Sequence, residues 1–121
     1  MRAKIALALL LTAPLLAQQA PAPPPFRVEE TTIAQIHDAM KAGRLTCRGL
    51  VDAYLRRIEA YDKNGPSLNA LVTVNPDAQK QADDLDRRFA QSGLTGPLHC
   101  VPAIVKDNFE TIGLQSAAGS L

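Results

Sequence analysis

The residues with the most chemistry to offer stand near the C-terminal end of this 121-residue sequence. There Gly96-Pro97-Leu98-His99-Cys100-Val101-Pro102-Ala103-Ile104-Val105-Lys106-Asp107-Asn108 carries a short apolar run straight into a lysine. In water a lysine cannot act as a base, because its reference pKa near 10.4 keeps it charged at neutral pH. Burial behind Val101, Ile104 and Val105 would disfavour the cation and lower that value, which is how a lysine becomes a general base. The same letters fit a plainer reading, in which Lys106 and Asp107 are the polar end of a strand whose side chains alternate between two faces. Asp107 is expected to accept backbone amides of the following turn rather than to join a proton relay.

The two cysteines and two histidines complete the reactive inventory. What the cysteines do depends on compartment, and the first residues speak to that. Arg2 and Lys4 precede an apolar stretch from Ile5 to Leu16, 12 residues long, with no acidic residue nearby. This is the layout of a secretory signal peptide, and it is short of the about 20 residues that span a bilayer, so no stable membrane anchor is expected. Residues 1–20 are therefore expected to be a signal peptide, residues 21–30 a Pro/Ala-rich linker, and residues 31–121 the folded part. An exported location, periplasmic or extracellular, follows. In such a compartment Cys47 and Cys100 are a candidate disulfide, and closing that loop would contribute roughly 4 kcal/mol. The alternative is that both are small buried apolar fillers.

Activation of Cys100 by His99 is disfavoured, since neighbouring residues of a strand face opposite ways. The sequence has no CxxC, HExxH or histidine-rich cluster, so no metal site is expected, and no cofactor motif is present. His37 and His99 read as isolated packing or surface histidines. Residues 1–25 hold two of the 13 basic residues and none of the 12 acidic ones, which leaves 11 bases against 12 acids downstream. A charge near balance, with no basic run, gives nucleic acid no footprint.

The elements that must position these residues are legible in part. Thr32-Ile33-Ala34-Gln35 matches a capping box and opens a helix with Ile33, Ile36 and Met40 on one face, which Gly43 ends. Thr46 caps a second helix with an apolar stripe of Leu50, Val51, Tyr54, Leu55 and Ile58. Asn64-Gly65-Pro66 is a turn, and Leu68 to Val74 is a strand candidate. Asn75-Pro76-Asp77 starts a third helix running to about Ser92, with Ala78, Ala82, Leu85 and Phe89 as its apolar face. Its charges, including Asp83, Asp84 and Asp86, are expected to form a solvated outer surface, and Gly93 stops it. The order helix, helix, strand, helix, strand is an incomplete α/β pattern, in which parallel strands need further neighbours.

The segment Gly96 to Asn108, followed by Phe109-Glu110-Thr111-Ile112-Gly113-Leu114 and Ala117-Ala118-Gly119-Ser120, resembles the start of the amidase signature family. Upstream, Thr46-Cys47-Arg48, Tyr54-Leu55-Arg56-Arg57-Ile58 and Leu68-Asn69-Ala70 resemble the same family's N-terminal region, so the likeness covers residues 31–121. It implies the N-terminal helices and first strands of an α/β/α fold with a mixed central sheet, truncated here. It also implies hydrolysis of carboxylic amides, other than peptide bonds in proteins, by a serine nucleophile, a second serine with a cis peptide bond, and a lysine.

Lys106 falls on that lysine. By the resemblance, the neutral amine takes a proton from the bridging serine as the nucleophile attacks the amide carbonyl. Both serines and the glycine-rich oxyanion loop are expected beyond Leu121, Ser116 and Ser120 having no such role, so the chain alone is expected to be inactive. Cys100 departs from the family pattern, which often has glycine there. The implied partner is a small-molecule amide, with substrate-binding residues, substrate identity and oligomeric state left open. Two other readings stand beside it: an amidotransferase A-type subunit that transfers an amide to an aminoacyl-tRNA, and a small secreted disulfide-linked binding domain without catalysis.

Overall fold

The computed structural model describes residues 24–119, so the expected signal peptide lies outside the described residues. Three α-helices form in the order expected, and the first two begin where a side chain satisfies orphan backbone donors. Helix α1, Ile33–Lys41, opens on Thr32, whose Oγ1 accepts from Gln35 N at 3.2 Å while Gln35 Oε1 accepts from Thr32 N at 2.8 Å. This is the reciprocal capping box. Gly43, at φ +66°, supplies the left-handed exit.

Helix α2, Cys47–Arg57, opens on Thr46, whose Oγ1 accepts from Gly49 N at 2.9 Å. It continues into a π-helical turn, Ile58–Lys63, that the sequence pattern does not announce. The Asn64-Gly65-Pro66 turn then breaks it. Here glycine is required, because Gly65 has φ +55° and a Cβ on it would lie 2.7 Å from the carbonyl oxygen of Ala60.

Helix α3, Ala78–Ser92, begins two residues after Pro76, behind an Asx-type turn in which Asn75 Oδ1 accepts from Asp77 N at 2.9 Å. Gly93, φ +74°, ends it. Helices α2 and α3 pack against each other and run antiparallel, since Cys47 and Arg48 meet Asp86 and Asp83 while Asp52 meets Gln79. Burying apolar surface between them and α1 is the main favourable term, and the residues doing so are Ile36, Met40, Cys47, Leu50 and Ala82, joined by Val28 and Cys100.

Two expectations need correction. The acidic face of α3 is not simply solvated: Asp86 Oδ1 and Oδ2 accept from Cys47 N at 2.7 Å and Arg48 N at 3.0 Å, and Asp83 pairs with the Arg48 guanidinium at 2.8 Å. Thr46 and Asp86 thus satisfy the first three helical N–H groups of α2, two of them from a distant helix, as the positive end of the helix dipole favours.

The second correction concerns the sheet. Neither Leu68–Val74 nor Val101–Lys106 is a strand, and the described residues contain no sheet, only an isolated antiparallel bridge between Thr111 and Leu114. A strand exists only through the ladder to its neighbour. The two apolar segments flank an open cavity of ≈ 1100 Å³ instead of pairing, with Leu68 and Val72 left exposed. The mixed sheet implied by the resemblance is therefore not formed among these residues. No helix of the described residues is long and apolar enough to cross a membrane.

Candidate functional site

Lys106 lies on the wall of that cavity, at the end of the apolar segment, and its carbonyl accepts from Phe109 N at 3.0 Å. The expected enclosure is absent among the described residues. Lys106 is exposed, and of its supposed covers Ile104 is 82% and Val105 52% exposed, with Val101 half-buried. The physical reason is geometric: one extended segment alternates its side chains between two sides and encloses none of them without a second layer.

The turn after Lys106 is held by Asp107, as expected of it. Asp107 Oδ1 accepts from Ala117 N at 3.1 Å and its carbonyl accepts from Ala118 N at 3.3 Å. Ser116 Oγ donates to the Phe109 carbonyl at 2.9 Å, so this serine is committed to the loop rather than aimed at Lys106. Ser120 lies outside the described residues.

Six residues before Lys106 the structure gathers what the sequence left scattered. The Cα atoms of Cys47 and Cys100 are 5.3 Å apart, inside the range a disulfide spans. His99 Nε2 is 3.8 Å from Cys47 Sγ, and one donor atom from each of Cys47, His99 and Cys100 lies within 4.8 Å of the others. His37 Nε2 meets the His99 carbonyl at 3.0 Å. All four residues are buried.

This corrects the reading of the histidines as isolated. It also removes the argument that strand alternation keeps His99 and Cys100 apart, because residues 97–100 form a turn in which His99 N donates to the Gly96 carbonyl at 3.2 Å. Only sequence separation hid the cluster: positions 37, 47, 99 and 100 fit no short-range ligand motif. Burial, reinforced by His37, holds the His99 imidazole below its ordinary pKa of 6.5 and favours the neutral ring. Cys100 has φ +61°, a left-handed conformation that costs a non-glycine residue on the order of 1 kcal/mol.

Comparison with known proteins decides the family. The model of the Amidase family matches residues 49–121, a span that includes Lys106 and the whole loop after it. The chain belongs to the amidase family. It is similar to native peptide amidase from Stenotrophomonas maltophilia, with a TM-score of 0.74 and 43% identity over 77% of this chain and 19% of that one. It is 38% identical over 93 residues to the A subunit of glutamyl-tRNA(Gln) amidotransferase from Halorhodospira halophila, covering 77% of this chain and 19% of that protein. A Schizosaccharomyces pombe protein named as an amidase is 39% identical over 94 residues, with 77% of this chain and 16% of that protein covered. The chain thus spans about a fifth of the length of the relatives it matches.

Proposed function

We propose that this amidase-family chain is the N-terminal part of an exported enzyme that hydrolyses small carboxylic amides, with Lys106 as the general base of a Ser-cisSer-Lys relay. The observation that carries the reading is the family match, which runs through Lys106 and continues past it for the rest of the sequence. The 121 residues contain no Gly-Gly-Ser-Ser-Gly-Gly-like stretch, so the serines of the relay are assigned to the rest of the enzyme and not to Ser116 or Ser120. Closure of a second layer over Ile104 and Val105 would take the lysine out of water, and loss of its hydration favours the neutral amine the relay needs. Cys47 and Cys100, bridged after export, would pin this segment to the start of α2.

The test is Lys106→Ala in the protein expressed from its full reading frame, assayed on a peptide C-terminal amide, an aliphatic amide and an aryl amide. Loss of a general base predicts a fall in kcat of roughly 100- to 10,000-fold with the helical circular dichroism unchanged. Retained kcat on the amide that the parent hydrolyses would remove the lysine from the mechanism.

A second reading, an amidotransferase A-type subunit, is favoured by the names of several relatives. The leader-like N-terminus stands against it, because charged tRNA is cytosolic. N-terminal sequencing of the mature protein separates the two: a processed start downstream of residue 16 supports the exported amidase, and an intact Met1 start in the cytosol supports the amidotransferase.

A further inference from the structure

We propose that the Cys47–Cys100 bridge is a thiol-exchange site: a small thiol of the glutathione class attacks Cys100, and Cys47 is the sulfur that leaves, stabilised by the His99 imidazole. The two sulfurs differ in their surroundings. Cys47 is fully buried at the first position of α2, whereas Cys100 keeps 7% of its surface exposed. Both residues border the open cavity together with Thr95 and His99, so an entering thiol has room to approach from that side. In the bridged form His99 Nε2 lies 3.8 Å from Cys47 Sγ, within reach of a hydrogen bond to sulfur.

The ring is held so that its proton faces the sulfur. Thr95 N lies 3.5 Å and Thr95 Oγ1 2.8 Å from His99 Nδ1. A backbone N–H only donates, so Nδ1 accepts and the single proton of the neutral ring sits on Nε2. Burial favours that neutral ring. The N-terminus of α2 adds little to the contrast between the sulfurs, because the Asp86 carboxylate already occupies the N–H groups of Cys47 and Arg48 and brings a negative charge close by. The imidazole N–H is therefore the group that stabilises charge developing on Cys47 Sγ, through a charge-assisted hydrogen bond. Opening the bridge also lets Cys100 leave the left-handed backbone at φ +61° in which the tether holds it.

The small thiol is the reductant, and the step balances with it. The entering thiolate forms a bond to Cys100 Sγ as the bond between the two Sγ atoms breaks, and the bonding pair leaves on Cys47 Sγ. Cys47 Sγ then takes from water the equivalent of the proton that the entering thiol gave up, while His99 keeps its own. The products are a mixed disulfide at Cys100 and a thiol at Cys47. A second small thiol attacks the mixed disulfide, which leaves Cys100 as a thiol and the two small thiols joined to each other. Lys106, six residues downstream of Cys100, loses with the bridge its covalent tie to the start of α2.

The test treats the oxidised chain with glutathione, quenches with acid at early times and maps the adducts by mass spectrometry without reduction. It needs no amide substrate, so its outcome is separate from that of the amidase reading. A hydrogen bond to a fully charged sulfur is worth about 10- to 100-fold, and the departing sulfur carries only part of that charge, so glutathione is expected on Cys100 in about 3- to 10-fold excess over Cys47. The preference is expected to vanish in urea, where the imidazole no longer sits beside Cys47. His99→Phe keeps a ring against Phe89 but removes the N–H, and should slow exchange at Cys100 by the same about 3- to 10-fold and abolish the preference. The adduct ratio of the parent identifies the leaving sulfur even if that variant fails to fold. Adducts divided equally in the folded chain, a majority on Cys47, no adduct until the chain unfolds, or a folded His99→Phe chain with the parent's rate and preference would each overturn the proposal.

Discussion

Removing the carboxylate of Asp86 tests the packing argument most directly, because that group joins two elements through bonds that can be counted. Its two oxygens accept the N–H groups of Cys47 and Arg48, the first two residues of α2. A hydrogen bond to a charged group contributes about 1.5–3 kcal/mol. Asp86 is half-buried, so water can reach the freed amides in part, and the two bonds together are assigned about 2–3 kcal/mol rather than the full sum. For a domain of this size each kcal/mol moves Tm by about 4–8 °C, so Asp86→Ala is expected to lower Tm by roughly 10–20 °C.

Asp86→Asn keeps one acceptor and loses the charge that the helix dipole favours, so about half of that loss is expected. Thr46→Ala, which removes the cap on Gly49 N, shares the same helix end, and the double variant should fall short of the sum of the two single losses. Thermal melts followed by circular dichroism, repeated in urea, provide the assay. An Asp86→Ala protein with the parent's Tm would refute the view that α3 caps α2, and the short contacts would then carry no stability.

Reduction of the Cys47–Cys100 pair in metal-free buffer should lower stability by about 4 kcal/mol, the value for opening a loop of 53 residues, with unchanged urea midpoints rejecting the bridge. The pKa of His99 is lowered on folding, so the unfolded chain takes up its proton first as pH falls. The stability tied to its neutral ring is therefore complete above the unfolded value of 6.5 and is lost as pH drops below it toward the folded value. Urea midpoints between about pH 7 and pH 5 should decline, and a decline equally steep in His99→Gln would exclude this residue as the cause. Gly65→Ala forces a Cβ against the Ala60 carbonyl in a left-handed backbone and should cost about 1–3 kcal/mol, which equal melts of variant and parent would disprove.

What the sequence by itself determined was local. Thr32 and Thr46 as helix caps, Gly43 and Gly93 as exits, the three helix spans and the backbone-bonding role of Asp107 all rest on groups within about ten residues of one another. The family likeness was legible for a similar reason, since it lies in contiguous residues. Tertiary structure decided the rest, because each remaining outcome depends on a distant partner. Leu68–Val74 and Val101–Lys106 have strand-like composition, yet without a neighbouring ladder they stay irregular. Lys106 has apolar neighbours in sequence, yet a single extended layer cannot shield it from water. Asp86 looked like a solvent-facing charge until the antiparallel packing of α3 on α2 brought a helix end to it. Cys47, His99 and Cys100 match no motif, and only the turn at residues 97–100, folded back on the first turn of α2, makes one cluster of them.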